Sequence, residues 1–478
     1  MKKIIYATLL VITLAVAGCK KSFLEITPSG KVIAETTADY DLLLNSLTLG
    51  NQFMTYTQAM GDEMAAIEPY YVGITLQRQR AFQWENTIYE RDEDAPEILY
   101  PTTALYVYNK VINEVPGSKD GTEAQKNSLR AEALAGRAWT YLQLINIFAK
   151  PFDASTASTD PGFPIIKEAN VTVRDFPRAS VKEVYDFIIK DLQDAIPNLK
   201  ATPIHRFRMS RPAAQALLAK TYLMMGLYIE ALPHLNVALT DIAASSYPVR
   251  LYDYNTAFVT GGALAPVTEF GPSIPNLYNN QESLYSRQTQ GDWTGLANAL
   301  LLRPETMALY GASDLRRAFI RNNPYPGGAA FPRGMAQRVA PFSPIIGMVV
   351  PDVYLKRAEV KARLNDLGGA ITDVEALRTK RMPAADAPVP AAIGSDRLLL
   401  VKFILDERIR EFAALGYRWF DMRRLSADPE FKSTVKYDHT LYTSTGNVSK
   451  TFTLRPERFT LKMPPKILAE NPGMQDNP

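Results

Sequence analysis

Residues 212–240 constrain the fold of this chain more than any other stretch. Pro212 to Met225 reads as one helix, Gly226 breaks it, and Tyr228 to Thr240 reads as the next. Leu218, Ala219, Tyr222, Gly226, Tyr228, Ala231 and Ala238 recur at the spacing of a helix–turn–helix unit of about 34 residues. The physical reason is packing. Ala219 and Ala231 let two helix backbones approach, and Leu218, Tyr222 and Tyr228 fill the space around them. Pro233 falls early in the second helix, where a missing N–H costs little.

This is the spacing of a tetratricopeptide repeat, and a looser copy covers Pro351 to Arg381. There Tyr354, Ala358 and Ala370 take corresponding positions, with Asn365-Asp366 as the turn. Two copies far apart do not make a solenoid, which needs about three stacked units. Two further helices, 122–148 and 181–195, supply a degenerate pair. The first is apolar on most sides (Leu129, Ala133, Gly136, Trp139, Tyr141, Leu144, Ile147), the pattern of a buried helix. The second opens on the capping box Ser180-Val181-Lys182-Glu183 and stops at Pro197. Thr36 or Thr37 caps a helix over 38–47, another runs from Pro101 to Val115, and Ser395 or Asp396 caps a last one over 396–415. The expected fold class is mainly α: about four tetratricopeptide-like helix pairs form an α-helical body with a loop-rich ligand-binding face and a few short strands. Gly, Pro, Asn and Tyr dominate 246–344, which reads as ordered loops with short β-prone runs such as Glu282–Tyr285 and one helix near Arg303–Tyr310. The tail from Thr451 to Pro478 reads as extended.

The N-terminus has a different logic. Met1-Lys2-Lys3 is a basic head, Ile4 to Val16 an apolar run, and Val16-Ala17-Gly18-Cys19 a small-residue ending. This is the layout of a secretory signal, and the run is too short for a transmembrane helix of about 20 residues. The ending resembles the lipobox of bacterial lipoproteins, which implies that Cys19 is lipidated and becomes the new N-terminus. Lys20, where an aspartate would favour inner-membrane retention, points to the outer membrane. The expected organisation is a signal peptide over 1–18, a lipidated tether over 19–30 and one globular unit with halves 31–245 and 246–478. Cys19 is the only cysteine, so with it acylated disulfides and thiolate sites are excluded. With 53 basic against 50 acidic residues, nothing points to nucleic acid.

Asp406 to Leu425 reads DERIREFAALGYRWFDMRRL. It resembles the ER-x-RE … G-x-RWFD-x-RR signature of the SusD/RagB family of Bacteroidetes outer-membrane lipoproteins, through Glu407, Arg408, Arg410, Glu411, Gly416, Arg418, Trp419, Phe420, Asp421, Arg423 and Arg424. Pro351 to Glu359 resembles that family's PDxYLxRAE helix, and Arg137-Ala138-Trp139, Arg178-Ala179-Ser180-Val181 and Pro464-Pro465 … Asn471-Pro472 also match. The resemblance implies a nutrient-binding lipoprotein that captures oligosaccharide, or peptide, and delivers it to a SusC-like TonB-dependent transporter from the cell surface. Read from the residues alone, Glu407 and Arg410 pair along a helix and Gly416 sits at its C-cap. Arg418, Asp421, Arg423 and Arg424 form either an arginine clamp for an anionic ligand or an internal ion-pair network. Their alternating signs favour the network.

No phosphate loop, GxSxG or HExxH is present, and His205, His234 and His439 are too far apart in sequence to suggest a metal site. Asp92, Glu93 and Asp94 suit a solvated turn better than a calcium site. Neither an enzyme nor a cofactor is expected. Two function classes remain, an oligosaccharide-binding lipoprotein and a tetratricopeptide scaffold for protein. Loop aromatics favour the first, because sugars stack C–H faces on rings while amides and guanidiniums bond their hydroxyls. The candidate ligand residues are Tyr71, Arg78, Trp84 and Asn86 in one irregular segment and Tyr285 and Trp293 in another.

Overall fold

The computed structural model describes residues 34–51, 56–289 and 298–478. Cys19, the signal and tether segments and Trp293 lie outside the described residues. Ten helices of eight or more residues are found among those described: α1 Thr37–Leu44, α2 Pro96–Glu114, α3 Glu123–Phe148, α4 Val181–Ala195, α5 Arg211–Met224, α6 Tyr228–Ala244, α7 Val350–Arg363, α8 Leu367–Arg378, α9 Arg397–Phe412 and α10 Tyr417–Ser426. Their starts follow local chemistry. Thr36, Thr122 and Ser180 form capping boxes with Asp39, Gln125 and Glu183, and the Asp396 side chain accepts from Leu399 N–H. Each satisfies a backbone donor that the first turn leaves free.

The helix pairs predicted from spacing are present. Gly226 turns α5 into α6 at φ +75°, and Asn365 turns α7 into α8 at φ +67°. Ala219, Ala231, Ala358 and Ala370 are all fully buried where α5 meets α6 and α7 meets α8. α6 packs on α7, joining the two pairs, and α9 docks on α7. α3 is covered by α2 on one side and α4 on the other. A Cβ on Gly136 would lie 2.5 Å from the Tyr108 ring, so glycine sets how closely α2 and α3 approach. Trp139, Tyr141 and Leu144 of α3 are buried in the core, each worth about 1.5–3 kcal/mol or more relative to exposure.

The strands are short: β1 Met64–Ile67, β2 Val267–Thr268, β3 Gly271–Pro272, β4 Ser283–Tyr285, β5 Leu300–Leu302, β6 Ile320–Arg321, β7 Gln337–Arg338, β8 Met348–Val349, β9 Asp438–Tyr442 and β10 Val448–Thr453. Four of them make one sheet in the order β10-β9-β1-β5. β1 runs antiparallel to β5, with Met64 opposite Leu302, and parallel to β9, with Ala66 opposite Leu441. The described residues from 246 to 289 and from 298 to 344 are otherwise loop and short helical turns, as expected. Two expectations need correction. The tail is not simply extended: its first residues complete the β9–β10 pair, and Pro465–Glu470 is helical. Gly416 is left-handed, at φ +85°, but it begins α10 rather than ending α9. α9 stops at Phe412, and Ala414 takes a left-handed conformation of its own.

Candidate functional site

The arginine-rich stretch is an interior network. Arg408 donates to Asp421 and Asp352, both at 2.8 Å, and Arg424 donates to both oxygens of Glu359 at 2.6 and 2.7 Å. Arg418 clasps Asp62 on β1's approach. Glu407 receives Arg316, Arg378 and Arg410 within 2.7 Å. Burial opposes the Glu407 charge, yet these three guanidiniums hold its carboxyl well below the usual range. The same balance brings Glu359 down to about 2, beside Arg424 and Arg363. With the side chains of these groups at most a tenth exposed, the cluster fixes α10 against α7 and α9 and offers no anion clamp to solvent.

Most sequence-predicted ligand residues are structural too. Trp84 is buried; its ring lies flat on His439, and Nε1 donates to the Met60 carbonyl at 3.1 Å. Tyr71 is buried, donates to the Gln79 carbonyl at 3.0 Å and accepts from Gln83. Arg78 is buried. Tyr285 is buried, its hydroxyl 2.9 Å from that of Tyr108 and 2.5 Å from Arg287 Nη2. None of these four presents a face to a sugar. Their irregular segments use large rings to build satellite core, so an aromatic between polar neighbours is not a sufficient signal. Asn86 is exposed and accepts from Arg455. Glu93 accepts from Gln77 and Asp94 pairs with Lys466, as in a solvated turn.

The loop-rich segment carries a different site. A cleft of about 250 Å³ opens between the β2–β3 hairpin and the chain after β7. Phe270, in the hairpin turn, and Phe342 stand at its rim, 53% and 41% exposed. Met64 of β1 and Leu300 of β5, neighbours in the main sheet, line it below with Leu415. Gln58 also lines it and is 1% exposed, yet neither its amide nitrogen nor its oxygen has a partner among the described residues. The side-chain oxygen of Asn298, a left-handed residue at φ +65°, is buried and has no partner among the described residues either. Buried amides are ordinarily hydrogen-bonded, and these three polar atoms at the cleft have no partner among the described residues.

Arg321 and Gln337 face each other across β6 and β7. Arg321 Nη2 donates to Gln337 Oε1 at 3.1 Å and to the Pro324 carbonyl at 2.8 Å, while Nε donates to the Asn323 carbonyl at 2.9 Å. Arg338 lies over the Phe319 ring and donates to the carbonyls of Ala340 and Ala413. A second hollow of about 370 Å³ shares Arg321 and Val339 with the first. Open rings with amides and guanidiniums between them suit a molecule with flat apolar faces and many hydroxyls. Sequence reasoning missed these residues because Gln58, Phe270, Arg321 and Phe342 are distant in the chain. The one local signal was a large ring in the turn Glu269-Phe270-Gly271.

A helical-repeat body carrying such a cleft on irregular loops defines a ligand-binding protein. Residues 22–223 match the family model described as starch-binding, associating with outer membrane, and residues 350–478 match that of the SusD family. The chain belongs to the SusD/RagB family, whose members are carbohydrate-binding proteins and not enzymes and are nutrient binders associated with the Bacteroidetes outer membrane. Solved structures agree on the fold. A SusD superfamily protein from Bacteroides thetaiotaomicron superposes with a TM-score of 0.69 at 17% identity, over 93% of this chain and 100% of that one. A putative sugar binding protein from Bacteroides vulgatus gives 0.67 at 18% identity, over 94% and 99%. Surface glycan-binding protein A from Bacteroides uniformis gives 0.66 at 15% identity, over 92% and 99%. No curated protein matches the sequence.

Proposed function

We propose that this protein captures an oligosaccharide in the Phe270–Phe342 cleft and delivers it to a SusC-like TonB-dependent transporter in the outer membrane. In this reading the lipid on Cys19 anchors the chain to the outer membrane, facing the cell surface. The observation that carries the ligand assignment is the pairing of two exposed rings with the Gln58 amide and the Asn298 side-chain oxygen, which have no partner among the described residues, in one cleft. A stacked ring replaces water on the sugar's C–H face, and the amides replace it at the hydroxyls. No residue of the helix pairs α5–α6 or α7–α8 lines the cleft, which leaves the repeat side for the partner barrel.

Affinity electrophoresis through gels containing single polysaccharides tests the assignment. The wild-type protein is retarded by its cognate glycan. Phe270→Ala, a change at an exposed hairpin turn, loses retardation by an amount equivalent to about 1 kcal/mol or more while melting as wild type does. Equal retardation of the two proteins refutes the site. Retention by peptide ligands alone would move the function to peptide capture.

A further inference from the structure

The charges around the cleft are one-sided. Among the described residues its lining includes Arg321 and Arg338 and neither an aspartate nor a glutamate. The adjoining hollow adds Arg317, with Glu269 as its single acid among the described residues. In the chain as a whole the signs nearly cancel, 53 to 50, and Arg316, Arg408, Arg418 and Arg424 of the interior network each meet carboxylates, whereas Arg423 bonds the Ala149 carbonyl. Arg321 meets no carboxylate among the described residues. Its hydrogen bonds go to the carbonyls of Asn323, Pro324 and, at 3.5 Å, Glu269, and to the Gln337 amide oxygen. These acceptors fix the guanidinium in place without an opposite charge among the described residues. Of its five N–H groups, the two on Nη1 have only the long contact to Glu269 between them. Arg338 bonds carbonyls through Nε and Nη1, and its Nη2 has no hydrogen-bond partner among the described residues, although the Glu411 carboxylate lines a neighbouring hollow with it and acts on its charge.

We infer that the oligosaccharide bound here is acidic, with a carboxylate or sulfate group seated against Arg321 and Arg338. The inference rests on the cleft being the glycan site. Neutral hydroxyls are served by the amides of Gln58, Asn298 and Gln337 and do not need a pre-positioned cation. An oxyanion does, because a charge-assisted bond to guanidinium is about twice as strong as a neutral one. A half-buried guanidinium that keeps its charge without a carboxylate partner is stabilised when an anion arrives. Phe270 and Phe342 then hold the sugar ring while the arginines select its substituent.

The test uses affinity electrophoresis of the full protein against a panel of neutral polysaccharides (starch, galactan, arabinan, xyloglucan) and acidic ones. Polygalacturonate, alginate and hyaluronan carry uronates, and carrageenan carries sulfate esters, so the arms separate the two oxyanions. The expected result is retention by at least one acidic glycan, about tenfold or more beyond any neutral one, weakening as salt rises. Arg321→Gln removes that preference, Arg321→Lys restores part of it, and Arg317→Gln, at an exposed position, reduces it with no risk to the fold. Retention by a neutral glycan, dependent on Phe270 and as strong as by any acidic one, overturns the charge inference and leaves the glycan site standing. Retention by no glycan, or retention indifferent to Phe270, overturns both.

Discussion

Trp84 lies flat on His439, with ring centroids 3.7 Å apart and an interplanar angle of 18°. Phe82 stacks on the same imidazole at 4.4 Å, so the histidine is held between two aromatic planes. Its nitrogens lie 2.7 and 2.8 Å from the carbonyl oxygens of Phe82 and Gly61. Burial pushes its pKa down to about 4, against the pull of those carbonyls. This stack ties the irregular segment after β1 to strand β9 and gives Trp84 a structural task.

Trp84→Ala therefore acts on stability and not on the ligand. Removing a buried indole costs about 3–5 kcal/mol, read as a lower denaturation midpoint. In gels run well below that midpoint, the folded variant keeps wild-type retardation by the cognate glycan, unlike Phe270→Ala. A stable Trp84→Ala protein with lost binding would return Trp84 to the ligand site.

The helix pairs could be read from sequence because each is specified locally. Ala219 and Ala231 mark where two helices touch, Gly226 and Asn365 mark the turns, and Ser180 with Glu183 marks a start; all lie within a few turns of what they govern. The cleft is assembled otherwise. Gln58 and Met64 reach Leu300 through the β1–β5 pairing, and Arg321 reaches Gln337 through β6–β7. No periodicity encodes a contact between residues so far apart. The sheet itself was missed because strands of two to six residues carry too little alternation to be seen. The aromatics at Tyr71, Trp84 and Tyr285 misled because a ring's size suits a satellite core as well as it suits a sugar.

Stability should fall as pH rises from about 4.5 to about 8. Burial pushes the Glu63 carboxyl up to about 8, with the Asp62 charge adding to the effect, and burial also pushes Glu97 up to about 8, against a hydrogen bond from Tyr89. Both are protonated in the folded chain at neutral pH and ionised in the unfolded chain above about 4.5. The folded state thus holds the extra protons, and its advantage, complete below the unfolded value, is lost as pH rises through about 8. Each group contributes a slope of up to about 1.4 kcal/mol per pH unit in that window. Urea midpoints measured across it should decline, and Glu97→Gln, a neutral group of similar shape, should flatten the decline. A midpoint independent of pH in both proteins would contradict the assignment.

Glu407 is the shared acceptor of Arg316, Arg378 and Arg410. Glu407→Ala leaves the buried guanidiniums of Arg378 and Arg410 without their carboxylate and Arg316 with only Asp314 and Glu411. Breaking a buried pair from one side costs about 3–5 kcal/mol, and here three pairs break at once. The expected outcome is a protein that fails to fold, or one that melts far below wild type. Arg397→Ala, which breaks the surface pair with Glu430, should shift the midpoint by no more than about 1 kcal/mol. Similar losses for the two variants would show that the interior network does not hold α9 and α10 in place.

Gly416 links this network to the cleft. At φ +85° it adopts a conformation that costs a residue with a Cβ about 1–2 kcal/mol. The added Cβ would also lie 2.5 Å from Thr57 Oγ1 and 3.5 Å from Gln58 Cγ. Thr57 is buried, so relief of the contact must move the short helix Tyr56–Met60 that carries Gln58. Gly416→Ala should then do two separable things: lower stability through the backbone, and weaken glycan binding by shifting the Gln58 amide. Thr57→Ala removes the offending oxygen but leaves φ unchanged. In a double-mutant cycle, Thr57→Ala should restore much of the binding lost in Gly416→Ala while restoring only the part of the stability that the clash took. If Gly416→Ala binds glycan as wild type does, the helix carrying Gln58 is not part of the ligand site.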